Sequence, residues 1–234
     1  MAVINFRSGQ AARNGQSIKA ECAGCMGLPC SKAIAEGGDC VWYKAALAQK
    51  VKAASVPKKF VGKTFAEYEK TPDNREALQI ANWYLAEKPS RSLYFYGAVG
   101  TGKTFLASLI AQELIKGNKR VIFGDVPSLL QRIKATFDGA GNAQSVLDSY
   151  CKCDLLILDD IGAGQITDWN VGIIYQIINS RYNEQKPILA TSNLDLDGLQ
   201  KRLARSDDLT AQRITSRLNE MCILAFFGLN DRRK

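Results

Sequence analysis

Three groups of residues in this 234-residue chain have types and spacings that could do chemistry. The first is Gly97-Ala98-Val99-Gly100-Thr101-Gly102-Lys103-Thr104, with the spacing G-x-x-x-x-G-K-T. Glycines let backbone N–H groups curl around a polyphosphate, Lys103 can reach its outer phosphates, and the Thr104 hydroxyl suits Mg²⁺. The second group is Asp159-Asp160, which closes the apolar run Leu155-Leu156-Ile157-Leu158, together with Asn193 at the end of a neighbouring apolar run. An acid at that place can anchor Mg²⁺, and a second acid can orient or deprotonate an attacking water. Asn193 can hold the terminal phosphate or that water from the side. The third group is Cys22, Cys25, Cys30 and Cys40, spaced C-x2-C-x4-C-x9-C among glycines and Pro29. Four thiolates suit tetrahedral Zn²⁺, and so short a segment needs such a staple to fold. An iron–sulfur cluster uses the same ligands, and plain reduced thiols are the remaining reading.

The elements that must position these groups follow from periodicity and punctuation. Ser92 to Tyr96 reads as a strand running into the phosphate loop, and the apolar-periodic run from Phe105 to Ile115 as the helix leaving it. That helix would point its positive end at the same anion. Further strands are expected at 120–124, 155–158, 187–191 and 222–227. Helices are expected at 41–54, 73–85, 126–137, 143–150, from the Thr167 cap to Tyr182, at 196–203 and at 210–219. Strands alternating with helices mean an α/β fold with a mostly parallel sheet. The break at Ser55-Val56-Pro57 divides the chain into a cysteine-bearing module and linker, 1–55, and a larger domain, 56–234.

Charge is distributed unevenly. The net charge is +8, and residues 1–63 hold ten Lys/Arg against three Asp/Glu, so the N-terminal quarter carries most of it. Nucleic acid or an acidic protein surface would suit that segment, and a solvated basic tail would account for it equally simply. Histidine is absent, which excludes His-based triads and His metal ligands. Seven cysteines without an apolar leader point to a reducing compartment, and no run of eighteen apolar residues is present. The expectation is a cytoplasmic protein with no membrane partner. Cys151, Cys153 and Cys222 read as small apolar residues in or beside strands.

The combination GAVGTGKT, DLLILDDIGA, LATSNL and ITSRLNEM, in this order, resembles the AAA+ ATPases of the DnaC/DnaI helicase-loader family, and the related transposition helper IstB shares most of it. The resemblance covers about residues 56–234. It implies a P-loop NTPase core of AAA+ type with a parallel sheet flanked by helices, and no C-terminal lid domain, since the chain stops just after its last strand. It implies an ATPase using ATP and Mg²⁺, with Gly97 to Thr104 and the adjoining Phe105 around the nucleotide and Thr104 and Asp159 at the metal. Catalytic roles fall to Lys103, Asp159, Asp160 and Asn193. Assembly with copies of itself, as a hexamer in one form, would let Arg217 of one subunit reach its neighbour's nucleotide, with Arg213 as the local competitor. Gly228-Leu229-Asn230-Asp231-Arg232 resembles the family's ending and makes Arg232 a nucleotide sensor. Asp at position 160, shorter than the usual Glu, suits slow turnover and a switch. Lys134, Phe137 and Trp169 match segments associated with single-stranded DNA, a cation for phosphate and aromatics for base stacking; the two aromatics could equally be core residues. The implied activity is loading a hexameric replicative helicase onto single-stranded DNA. The competing readings are a transposition helper that coats duplex DNA, and an adaptor in which nucleotide is only structural.

Overall fold

The computed structural model describes residues 41–87, 91–136 and 142–231. The chain divides into two compact units, 1–49 and 50–234. The four cysteines of the N-terminal cluster, Phe137 and Arg232 lie outside the described residues. Among the described residues no helix is long and apolar enough to cross a membrane.

Helix α1 spans Val41–Ala53. Three single 3₁₀ turns, Lys58–Phe60, Phe65–Glu67 and Pro72–Asn74, lead to α2, Arg75–Glu87. The Glu67 carboxylate accepts from the Thr64 N–H and the Asn74 amide oxygen from the Thr71 N–H, which holds two of these turns. In the core each strand is followed by one helix or a pair of helices: β1 Ser92–Tyr96, α3 Lys103–Lys116, β2 Val121–Asp125, α4 Val126–Ala135, α5 Ala143–Lys152, β3 Leu155–Asp159, α6 Asp168–Asn183, β4 Ile188–Ser192, α7 Leu196–Leu203, α8 Asp208–Met221 and β5 Cys222–Phe226. Helix starts follow their caps. Thr167 accepts from the Asn170 N–H, and Asp207 accepts from the Thr210 N–H, which starts α8 two residues earlier than its apolar period suggests.

All four strand pairs are parallel, in the order β2-β3-β4-β1-β5. The central strands β3 and β4 are buried along their whole length, as continuous aliphatic runs require in a sheet covered on both faces. Leu156, Leu158, Ile188 and Ala190 face one layer with α4, α5, α6, α7 and α8, while α3 packs on the sheet through β2, β3 and β4 and touches α2. Because every strand points the same way, the turns after β1, β3 and β4 meet at one edge, and β4 lies directly between β1 and β3.

Arg181 of α6 is wholly buried. Its Nη1 donates to Tyr150 O at 2.6 Å and Cys151 O at 3.2 Å, and its Nη2 to Cys153 O at 3.1 Å and Pro187 O at 2.7 Å. The guanidinium thus closes the carbonyl end of α5 and fastens it to the entry of β4.

Cys153 and Cys222 are buried and Cys151 is half-buried. Burial pushes the thiols of Cys153 and Cys222 up, so both stay protonated and inert near neutral pH. Iodoacetamide at pH 8 is expected to modify Cys151 about tenfold or more faster than Cys153 or Cys222. Time-resolved peptide mass mapping reads this directly, and equal rates at the three thiols would contradict it.

Candidate nucleotide site

The phosphate loop lies where β1 meets α3. Gly102 precedes the helix in the left-handed region at φ +96°, a conformation that favours glycine and that turns the first helical N–H groups toward the loop. Gly97 has φ +139°, and a Cβ there would stand 2.8 Å from Gly228 O. The Ala98 N–H donates to that same carbonyl at 3.0 Å. The segment after β5 therefore rests on the loop, and the Asp231 carboxylate lies against Gly100, where a Cβ would be 1.8 Å from Asp231 Oδ1. Thr101 is buried and donates to Ala98 O, and Val99 stands at the exposed tip.

Lys103 is only 6% exposed. Its ammonium donates to Gly97 O at 2.8 Å, to Ala98 O at 2.7 Å and to Asn193 Oδ1 at 3.0 Å. The Asn193 amide in turn donates to Asp160 Oδ1 at 3.1 Å. A second chain of contacts runs beneath: the Thr104 hydroxyl donates to Asp159 Oδ1 at 3.0 Å, and the Thr191 hydroxyl to the same oxygen at 2.6 Å. Five residues expected at the site, Lys103, Thr104, Asp159, Asp160 and Asn193, are thus joined by hydrogen bonds at the carboxyl edge of three adjacent strands. Thr191, the sixth member, carries no sequence signal of its own: a threonine inside an apolar strand reads as a β-former.

Burial pushes the Asp159 carboxyl up, the hydroxyls of Thr191 and Thr104 pull it down, and the charges of Asp160 and Asp125 push it up again. A cation beside it would favour the charged form. The Thr104 hydroxyl and the Asp159 carboxylate are hard oxygen donors side by side, the kind of set that Mg²⁺ takes together with phosphate and water. Among the described residues no cluster of three or more His, Cys, Asp or Glu could hold a metal by protein ligands alone.

Phe105, the first residue past the loop, stacks on Phe60 with ring centroids 4.8 Å apart and meets Tyr68 at 5.4 Å. Gln112 fixes the approach segment by accepting from the Gly62 N–H and donating to Phe60 O. The aromatics before the loop are therefore packed on the first turn of α3.

Two other sets of expected residues lie apart from these bonds. Lys134 of α4 and Trp169 of α6 line one open groove of about 290 Å³, together with Pro127, Leu130, Gln131, Gln165 and Asn170. Sequence spacing did not bring these two together; the packing of α4 beside the loop after β3 does. Arg217 of α8 is held within its own chain: Nε donates to Asn179 Oδ1 at 2.9 Å, and the guanidinium lies over the rings of Tyr175 and Tyr182. Arg213, one turn earlier, is exposed, and its carbonyl accepts from Arg217 Nη1.

The family profile described as IstB-like ATP binding protein matches residues 43–230. A replicative helicase loader DnaC from Buchnera aphidicola subsp. Baizongia pistaciae is 33% identical over 141 residues, 58% of this chain and 57% of that protein. The chain thus spans about half the length of the curated relatives it matches. Among solved structures, DnaI superimposes with a TM-score of 0.65 and 27% identity, covering 73% of this chain and 93% of that one. A DnaC helicase loader does so with a TM-score of 0.63 and 25% identity, covering 72% and 98%.

Proposed function

Because the chain belongs to the IstB-like ATP binding protein family, we propose that it is an ATP-driven switch that helps to place a replicative helicase on single-stranded DNA. The observation that carries this reading is the pair of hydrogen-bonded chains, Lys103–Asn193–Asp160 and Thr104–Asp159–Thr191, at one edge of the sheet. In it Lys103 holds the outer phosphates, Thr104 and Asp159 hold Mg²⁺, and Asp160 takes the proton of the attacking water, with Asn193 fixing that water from the side. Bound Mg²⁺ supplies charge neutralisation on the transferred phosphoryl group.

The Lys103 ammonium donates to two loop carbonyls, to the Thr101 hydroxyl and to Asn193. Arriving phosphate takes over that ammonium, which releases Asn193 and with it Asp160. The occupancy of the loop is thereby passed to β4 and to the turn after β3, from which the chain runs on to Trp169. The groove shared by Lys134 and Trp169 suits a single strand held without sequence preference, through a phosphate contact and a stacked base. Self-assembly completed by Arg217 or the exposed Arg213 belongs to the same reading, as does a metal-stapled N-terminal cysteine module, 1–55, that grips the helicase.

The test is delivery of the hexameric replicative helicase from the same cell to single-stranded DNA circles by the full-length protein, with and without ATP. ATP-dependent delivery is expected, and Asp160→Asn should bind ATP while hydrolysing it about 100-fold or more slowly. Delivery that ignores ATP would overturn the switch, and cooperative coating of duplex DNA in place of delivery would support the transposition-helper reading.

A further inference from the structure

Thr191 is 1% exposed, at the carboxyl end of β4. The backbone register between β3 and β4 runs to Leu158↔Ala190, and beyond it Thr191 holds three consecutive residues. Its hydroxyl donates to Asp159 Oδ1 at 2.6 Å and accepts from the Asp160 N–H at 2.9 Å, and its carbonyl accepts from the Ile161 N–H at 2.8 Å.

The polarity of the hydroxyl is fixed. The Asp160 N–H can only donate, so the Thr191 oxygen accepts there, and its single proton goes to the Asp159 carboxylate. The Asp160 backbone meanwhile sits in the left-handed region at φ +58°, a conformation that is strained for a non-glycine residue and persists only where neighbours hold it. That conformation turns the chain sharply after β3 and sends the Asp160 carboxylate to Asn193. Asp159 and Asp160 adjoin in sequence yet must do different work, one toward the metal and one toward water. One hydroxyl lies between them and is bonded to both.

We propose that Thr191 is a positioning residue for phosphoryl transfer, its hydroxyl setting the Asp159 carboxylate and the left-handed turn at Asp160 together. This rests on the hydrolysis reading above. A merely structural threonine would act through shape, and valine keeps that shape while removing the hydroxyl. Serine keeps the hydroxyl and loses only a methyl group.

The experiment compares Thr191→Val and Thr191→Ser with the parent full-length protein in two assays. The first is steady-state ATP hydrolysis in the presence of single-stranded DNA. The second is the gain in ATP affinity on adding Mg²⁺, which is read without turnover. For Thr191→Val the kcat is expected to fall about 10- to 100-fold, as for the outer partner of a metal-site ligand. Its KM for ATP should move about threefold at most, and the gain from Mg²⁺ should shrink by about tenfold or more. Thr191→Ser should stay within about threefold of the parent in both assays. If Thr191→Val does not fold, as judged by its thermal transition, Thr191→Cys, of similar bulk with a poor donor and acceptor, takes its place with the same expectation. Parent-like hydrolysis and Mg²⁺ response in the hydroxyl-free variant would overturn the proposal, as would equal damage in the serine variant. A parent protein that binds Mg²⁺–ATP and never hydrolyses it would instead defeat the hydrolysis reading, and the Mg²⁺ response would still decide the role of Thr191.

Discussion

Lys103→Met is expected to lower the affinity for ATP by more than about 100-fold, with little change in the thermal transition. The ammonium donates to Gly97 O, Ala98 O and Asn193 Oδ1, with a longer contact to Thr101 Oγ1 at 3.4 Å. Charge-assisted bonds of this kind are worth about 1.5–3 kcal/mol each, and those to phosphate are of the stronger sort, so losing two of them exceeds the factor of 100. Methionine keeps the length of the stem. Ala98 is half-buried, so water can reach its carbonyl, and the cost of leaving the buried Gly97 O without this donor is offset by no longer burying a cation, so the fold tolerates the change. Titration with a fluorescent ATP analogue checks the first part and calorimetry the second. Parent-like affinity in the variant would mean that the loop does not hold the phosphates.

Arg181→Met is expected to do the opposite, with a large loss of stability and no direct effect on nucleotide contacts. The buried guanidinium serves four backbone carbonyls at the end of α5 and the start of β4. Removing it takes this donor from Cys151 O and Cys153 O, at about 1–3 kcal/mol each, and leaves Tyr150 O only the weak Cys153 thiol and Pro187 O only the long Leu156 N–H contact. Relief from burying the charge, which itself pulls the Arg181 pKa down, returns part of that cost. A net loss of about 3 kcal/mol or more is expected, lowering the denaturant midpoint without changing the slope of the transition. An unchanged midpoint would show that the carbonyls find water. Lysine should not rescue, because one ammonium cannot span carbonyls that a planar fork reaches from both sides.

Much of the site is legible in the sequence. Glycine spacing in 97–104 fixes a loop that can wrap phosphate, and an aliphatic strand ending in Asp159-Asp160 announces a buried parallel strand with a working edge. Both signals are local, so sequence carries them. Arg181 was not legible, because a cation on a helix with polar neighbours reads as a solvated face. Its burial depends on how α5 ends beside β4, about thirty residues away. The seat of the chain's last described residues on the loop was also hidden, since Gly228 and Asp231 meet Gly97 and Gly100 only through the pairing of β5 with β1.

The phosphate loop is eight residues able to cradle an anion, and by itself the sequence determined its chemistry: which atoms can donate, which can hold a cation, and where the backbone can turn. It equally determined the alternation of strands and helices, because periodicity and caps are read within a few residues. Tertiary structure decided who meets whom. The order β2-β3-β4-β1-β5 puts β4 between the loop and the acids, and so makes Thr191 and Asn193 the links between them. Strand order is set by burying both faces of the sheet at once, a demand on the whole chain that no short stretch of residues can express.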